Sequence, residues 1–220
     1  MPAPPEASEE AAERRAVSIA RLDALGLPTN PDAPHLMDSA ELPAREPDAV
    51  ADRAIAVALT AIKGERDDQT AIANAVAEFG DRASFTPRER TSIDDAAAEM
   101  QTRIDFSWRF ECLHVLLWSL GLLDELAPPN VAADIGVEVT LVLAAGTEFG
   151  LGASLRDTTE LLHEADYYAQ LLWAGRTLRA VGGEVPDAMN YSIVYERLRA
   201  LRWLTAADGR AWDDVTLETP

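Results

Sequence analysis

Proline and glycine divide this chain into stretches of helix length, and this division constrains the fold more than any other feature. Between the breaks, apolar side chains recur every three or four residues, as they do on one face of an α-helix. Residues 9–25 end at Gly26, and residues 47–62 open with Pro47 and close at Gly64. The sequence therefore predicts a mainly helical fold.

A second group of signals extends the helical pattern to the rest of the chain. Thr86-Pro87-Arg88-Glu89 is a capping box with proline in the first turn, and it predicts a helix from Thr86 to about Arg103. Further helices are predicted over residues 67–79, with Asp67 or Asp68 as the cap, and over 107–120, 157–181 and 191–204.

Two stretches contain few helical signals. Residues 1–8, made of Pro, Ala, Glu and Ser after the initial Met, are predicted to be a disordered leader. Residues 28–46 contain four prolines but also Leu36 and Leu42, which can pack, so an ordered connection is predicted there. At 220 residues, one domain over residues 9–220 is expected.

Residues 131–149 are compatible with two structures. Apolar side chains alternate over residues 137–143, and β-branching favours a strand, but the surrounding alanines permit a helix. A strand would need a partner, and residues 215–217 offer one. The predicted fold class is a mainly α, single-domain multi-helix bundle. A variant of this bundle with one short β-hairpin or strand pair, formed near 137–143 and by the C-terminal tail, remains open.

The charge of the chain excludes some classes of partner. The chain has 38 acidic and 19 basic side chains, and the resulting net charge of −19 is spread evenly along it, as on a solvated surface. Repulsion opposes binding to nucleic-acid phosphate. No apolar run approaches the ~20 residues that span a bilayer, and no signal peptide is recognisable. A cytoplasmic protein with neither a nucleic-acid nor a membrane partner is expected.

The usual nucleophilic motifs are missing from the sequence. Cys112 is the one cysteine, which excludes an intramolecular disulfide and a multi-cysteine zinc site. It lies in a strongly apolar segment, where a free cysteine is typically buried and inert. No nucleophile elbow and no phosphate-binding loop in its strand-to-helix context is present.

Two Glu-x-x-His pairs are the metal-binding candidates. Glu111 with His114 and Glu160 with His163 each place a carboxylate and an imidazole on one helical face, as in di-iron bundles. Two other helices would each add a glutamate, and the candidates are Glu99 and Glu196. The second pair points away from the apolar stripe of its helix, so no metal or other cofactor is predicted.

Charged residues on apolar helix faces are the stronger signal. Glu111 shares a stripe with Trp108 and Trp118, and Arg197 shares one with Leu201. Because an unpaired buried charge is very costly, arginine–carboxylate pairs are predicted. They are expected among Glu111, Arg156, Asp166, Arg176, Glu196, Arg197 and Asp213. The whole predicted set comprises Trp108, Glu111, Arg156, Asp166, Tyr168, Trp173, Arg176, Tyr195, Glu196, Arg197, Trp203, Trp212 and Asp213. It is either a structural network that fixes helix register or a polar pocket for a small ligand.

The C-terminal segment YERLRALRWL at residues 195–204, followed by WDDVT at 212–216, closely resembles an uncharacterised bacterial family, domain of unknown function 4272. Other matching segments are LGLP at 25–28, VADRA at 50–54, WRFE at 108–111 and LLWSLG at 116–121. The similarity covers about residues 14–218. The resemblance implies a single bacterial domain and emphasises the same Trp, Glu, Arg and Asp positions, but it implies no activity.

Together these features predict a binding or interaction protein rather than an enzyme. Its partner would be either a basic protein or a small-molecule ligand. In the first case this chain would neutralise or regulate the basic protein, as an immunity-type protein does. The alternative is a metal-dependent or small-molecule enzyme that uses Glu111, His114, Glu160 and Glu196.

Overall fold

A computed structural model describes residues 7–66 and 68–217, and it confirms the mainly helical prediction. The α-helices are α1 Glu9–Ala24, α2 Pro47–Glu65, α3 Gln69–Phe79, α4 Pro87–Asp94, α5 Met100–Ser107, α6 Phe110–Ser119, α7 Ile135–Ala145, α8 Thr158–Ala180 and α9 Tyr191–Leu204. Short 3-10 turns occur at Ser39–Glu41, Gly80–Arg82, Gly146–Glu148 and Trp212–Asp214. Within the described ranges there is no strand, and no helix combines the length and apolar character needed to cross a membrane.

Helix α6 joins two groups of helices. On one side α2 packs against α3, α4 and α5, and on the other α8 packs between α1 and α9. Helix α6 contacts both α2 and α9. Alanines let neighbouring helices approach α2 closely, and from Val50 to Ala61 only Asp52 is not fully buried. The buried face of α9 is thereby fixed against α6 and α8, where the predicted network residues lie.

Three helix boundaries differ from the prediction by three residues or more. Helix α6 begins at Phe110 rather than at Ser107, which is the last residue of α5. Helix α2 continues through Gly64, because this glycine is a packing position: a Cβ there would lie 2.6 Å from the carbonyl oxygen of Arg103. The helix predicted from Thr86 to Arg103 is interrupted after Asp94. The side chain of Asp95 accepts a hydrogen bond from the Ala97 amide at 2.8 Å, and an acidic pair opposes the negative end of the α4 dipole.

Residues 135–145 are helical, so the alternative of a strand pair with the tail is wrong. The side chain of Asp134 caps α7 by accepting from the Val137 amide at 3.1 Å. Gly146, with φ of 52°, ends the helix. Val215 and Leu217 of the tail are buried against the helical core and form no strand. Capping at both ends therefore outweighs the β-branched alternation.

Local caps also define the start of the described chain. Ser8 is the N-cap of α1 and accepts from the Ala11 amide at 3.0 Å. Asp68 caps α3 through the Ala71 amide at 2.9 Å. Residues 1–6 of the predicted disordered leader, and the alternative cap Asp67, lie outside the described residues.

Candidate functional site

The guanidinium of Arg197 lies at the centre of the predicted network. Its side chain has 0% exposure, and it donates to Glu111 Oε2 from Nε at 2.9 Å and from Nη2 at 2.8 Å. Its Nη1 donates to the hydroxyl of Tyr168 at 3.1 Å. Burial raises the pKa of Tyr168 to about 12. Glu111 and Arg197, two members of the set within which pairs were predicted, form an ion pair with each other, and together with Tyr168 they join α6, α8 and α9.

The remaining hydrogen-bonding groups of this pair hold the connection between α6 and α7. Arg197 donates to the carbonyl oxygens of Ala127, Pro128 and Val131, the last at 2.8 Å. Glu111 Oε1 accepts from the amide of Ala133 at 3.0 Å. A guanidinium supplies five donors in a fixed fork, which suits irregular backbone whose carbonyls have no helical partner. The pair thus works as a structural clamp.

His114 extends the same clamp. Its Nε2 accepts a hydrogen bond from the Ala127 amide at 3.0 Å, so the ring proton is assigned to Nδ1, which lies 2.6 Å from Glu138 Oε1. Glu138 is buried on α7, and its Oε2 has no hydrogen-bond partner within residues 7–66 and 68–217. Desolvation raises the pKa of Glu138, although the hydrogen bond from His114 opposes this shift.

The two Glu-x-x-His pairs occupy different environments. Glu111 and His114 belong to the buried clamp, whereas Glu160 is exposed and pairs with Arg156 at 3.1 Å, beside a half-buried His163. Glu99 is exposed. In residues 7–66 and 68–217, no three His, Cys, Asp or Glu side chains come together as metal ligands. The metal-dependent alternative therefore gains no support from the geometry.

A second buried pair clamps the proline-containing connection. Asp166 pairs with Arg15 at 2.8 Å rather than with the arginines expected from the sequence. Arg15 also donates to backbone carbonyls, including that of Ala33 at 2.9 Å. Gln170 brackets Asn30, accepting from its amide and donating to its carbonyl, both at 3.0 Å. These bonds explain why residues 28–46 are ordered, as predicted.

The other predicted residues are divided between the core and the surface. Trp203 and Trp212 are buried and pack edge to face, with ring centroids 5.5 Å apart. Arg156 donates to the carbonyls of Leu123 and Asp124 at 2.9 and 2.8 Å, so it too holds a connection. Half-buried positions are taken by Trp173 and Arg176, and Asp213 is exposed.

A third pair differs from the clamps because it borders an open groove. Arg109, at the start of α6, contacts Glu196 of α9 with 2.5 Å between Nη1 and Oε2. The Sγ of Cys112 lies 3.2 Å from the same carboxylate oxygen. Burial raises the pKa of the Cys112 thiol, and the negative charge of Glu196 raises it further. Cys112 is therefore held as a neutral thiol.

The groove has a volume of about 390 Å³ and is called here the Arg199 groove. Its lining residues are Arg88, Asp105, Trp108, Arg109, Tyr191, Ser192, Tyr195, Glu196 and Arg199. Tyr191 and Tyr195 stack with centroids 6.5 Å apart and planes at 27°. The site therefore combines guanidinium groups with aromatic rings.

The hydrogen-bonding capacity of Arg199 is only partly used, although its guanidinium carbon lies 5.8 Å from the centroid of the Trp212 ring. Its Nε is buried without a hydrogen-bond partner, and the guanidinium forms no ion pair with the residues that the structure describes. Desolvation lowers the pKa of Arg199, and the nearby cation of Arg109 lowers it further. The sequence predicted Trp108, Tyr195 and Glu196 but missed Arg199, although Arg199 lies one helical turn after both Tyr195 and Glu196.

Comparison with curated proteins and with solved structures gives no significant match. A family described as Domain of unknown function (DUF4272) matches residues 14–215. That match spans α2 to α9 and all residues of the clamps and the Arg199 groove. The chain therefore belongs to the DUF4272 family.

Proposed function

We propose that this protein binds a small anionic ligand in the Arg199 groove, and that the network around Arg197 serves structure alone. The observation that carries the proposal is the Nε of Arg199, which is buried without a hydrogen-bond partner among the described residues, in a guanidinium that no carboxylate pairs with there. Leaving a buried donor unsatisfied costs about 1–3 kcal/mol, and a charged donor costs more. A carboxylate or phosphate on a ligand would supply the missing hydrogen bonds and the missing charge.

The surroundings of Arg199 indicate what else the ligand contains. Arg109 is already engaged by Glu196, whereas Arg88 contributes a further cation to the lining. Trp108 is more than one third exposed, which leaves its ring surface accessible. Guanidinium groups and aromatic rings side by side favour a planar anion, because one end can be hydrogen-bonded while the body stacks. An aromatic carboxylate or phosphate ester fits this description.

Binding is favoured over covalent catalysis by the state of the neighbouring groups. Cys112 is buried, and its raised pKa keeps the sulfur protonated, so a thiolate nucleophile is not available there. The carboxylate of Glu196 is held by Arg109. A cytoplasmic location in a bacterial cell is retained as part of this proposal and rests on the sequence-based inferences alone.

Titration calorimetry with phenyl phosphate, benzoate and benzyl alcohol tests the proposal. We expect the anions to bind and the neutral alcohol to bind at least tenfold more weakly, since a charge-assisted hydrogen bond contributes about 1.5–3 kcal/mol. The relative affinities of phosphate and carboxylate then identify the preferred oxyanion.

Arg199→Gln and Arg202→Gln form a matched pair for the same titration. Both remove one positive charge from α9, but Arg202 lines a different cavity, beside Trp173. We expect Arg199→Gln to weaken anion binding at least tenfold and Arg202→Gln to leave it within about twofold. Equal binding by both variants, or no binding of either anion to the wild type, would overturn the proposal.

A further inference from the structure

Helix α7 exposes an apolar surface that its own fold does not cover. Ile135, Val137 and Leu143 are 41%, 50% and 37% exposed. The one charged residue of this helix, Glu138, points inward to His114. Helices with apolar residues all round are normally buried, and large exposed apolar patches mark interaction sites. This face of α7 is therefore a candidate contact surface.

A groove lies between α7 and α3. Its volume is about 570 Å³, and it is called here the α3–α7 groove. Its lining comprises Leu59, Ile62, Glu65, Arg66, Asp68, Ala71, Ile72, Ala75, Phe110, Ile135, Gly136, Val139, Thr140 and Leu143. Helix α3 adds little charge to it, since Glu78 is the only charged residue between Gln69 and Phe79. In a chain with 26% charged residues, two adjacent helices with so little charge form an unusual surface.

The charges around this groove are mainly negative. Glu65 and Asp68 lie in its lining, with one cation, Arg66. At the opposite end of α3, the Glu78 carboxylate lies against Gly146, which follows α7: a Cβ on that glycine would be 2.8 Å from Oε1. Glu148 follows in the same turn and is exposed. Arg82 lies at this end as well and donates to the Thr147 carbonyl at 2.8 Å, so each end of the apolar groove carries an excess of acidic side chains rather than acids alone.

We propose that the α3–α7 groove docks an amphipathic helix of another protein, with lysine or arginine side chains flanking its apolar face. Helix-in-groove recognition uses apolar residues at i, i+3 or i+4 and i+7, and basic flanks complement the acidic ends. A second copy of this chain is a poorer occupant, because each copy carries a net charge of −19 and the same acidic rim. This proposal is independent of anion binding in the Arg199 groove.

Gly136 provides a test that leaves the charge unchanged. A Cβ there meets only Asp134 Oδ1, at an ordinary contact distance of 3.5 Å, so Gly136→Leu is tolerated by the fold and fills the groove. Ala144→Leu is the matched control, since it adds the same side chain to the exposed part of α7 outside the groove lining.

The probe is a fluorescein-labelled 18-residue peptide of leucine and lysine with leucines at helical spacing. Fluorescence anisotropy is measured against a scrambled peptide of the same composition and against a leucine–glutamate counterpart. We expect the lysine peptide to bind the wild type and Ala144→Leu alike, and to bind Gly136→Leu at least tenfold more weakly. The scrambled and acidic peptides should bind at least tenfold more weakly than the lysine peptide.

Three results would overturn the proposal. Equal binding of the lysine peptide to Gly136→Leu and to the wild type would show attraction to surface charge alone. Equal binding of the scrambled or acidic peptide would remove the requirement for a basic amphipathic helix. A wild-type dimer that Gly136→Leu dissociates, measured by analytical ultracentrifugation, would assign the groove to a second copy.

Discussion

At the residue scale, arginine side chains stabilise irregular backbone in this protein by donating hydrogen bonds to its carbonyl oxygens. The basic residues are 18 arginines and Lys63. Arg15, Arg156 and Arg197 each donate to carbonyl oxygens in connections between helices. A lysine ammonium is a point charge without the planar fork, so it would not reach several carbonyls and a carboxylate together. The preference for arginine thus has a structural basis here.

Removing either member of the central clamp should strongly destabilise the fold. Arg197→Ala leaves the Glu111 carboxylate buried and unpaired, and Glu111→Ala leaves the Arg197 guanidinium buried without its carboxylate. Breaking such a pair costs about 3–5 kcal/mol of folding free energy. Urea unfolding of each variant measures the loss. Arg210→Ala is the control, because its pair with Asp208 is exposed and should contribute less than about 1 kcal/mol. Near-wild-type midpoints for both clamp variants would show that the pair is not a clamp.

Glu138 should make stability depend on pH in a particular direction. Its pKa is raised in the folded state, so the folded chain binds more protons there than the unfolded chain, and stability falls as pH rises through the interval between the two pKa values. The groups that face it are His114 and Glu111 of α6 and Arg197 of α9. Taking the difference between wild type and Glu138→Gln cancels the titrating groups that do not interact with Glu138.

We therefore expect the melting temperature of the wild type, relative to Glu138→Gln, to be higher at about pH 5 than at about pH 8. The comparison uses circular dichroism melts of both proteins across this range. A difference that is constant with pH, or one that grows towards alkaline pH, would contradict the assignment of a raised pKa to Glu138.

At the element scale, the helices were predictable because their signals are local. Caps and apolar spacing predicted α1, α2, α8 and α9, and Thr86 caps α4 as expected. The break between α4 and α5 was missed because it depends on the side chain of Asp95 accepting a hydrogen bond from the backbone amide of Ala97. The strand alternative for α7 arose because β-branched residues fit both structures when burial is unknown.

The buried charged network was predictable in part, again because helical spacing is a local signal. Helical faces identify which charges turn inward, and Glu111, Asp166, Glu196 and Arg197 are all buried. Their partners depend on packing between distant segments: Arg15 and Asp166 are 151 residues apart in sequence. The unsatisfied Nε of Arg199 could not be predicted, because hydrogen-bond satisfaction depends on which distant segments surround a side chain in the folded protein.

Gly64 and Gly136 should respond to alanine in opposite ways. At Gly64 the added Cβ would meet backbone atoms of α5 at 2.6 and 2.7 Å, so α2 and α5 must separate, at a cost of about 1–3 kcal/mol. At Gly136 no atom lies closer than 3.5 Å, and the gain in helix propensity should stabilise the protein by about 1 kcal/mol. Urea midpoints of the two variants provide the comparison, and equal shifts would show that α2 and α5 do not pack closely at Gly64.

At the scale of the whole molecule, the charged side chains fall into two groups that differ in burial. A few buried pairs hold the fold together, and many solvated acidic side chains produce the net charge. The clamps are buried, so salt screens them little, whereas the excess acidic side chains are solvated and repel one another. The two proposed sites fit this division. The Arg199 groove brings three arginines together with two carboxylates, and the α3–α7 groove is apolar between ends with an excess of acidic side chains.

This division predicts that salt stabilises the protein. Raising sodium chloride from about 0.02 to about 0.5 M shortens the Debye length severalfold, which weakens the repulsion between surface acids and leaves the buried pairs nearly unaffected. The melting temperature should therefore rise with salt. Neutralising three exposed acids in Glu13→Gln, Glu125→Gln and Glu184→Gln together should flatten that rise, because part of the repulsion has been removed. A melting temperature that falls with salt would mean that exposed ion pairs, rather than the net charge of −19, dominate the surface electrostatics.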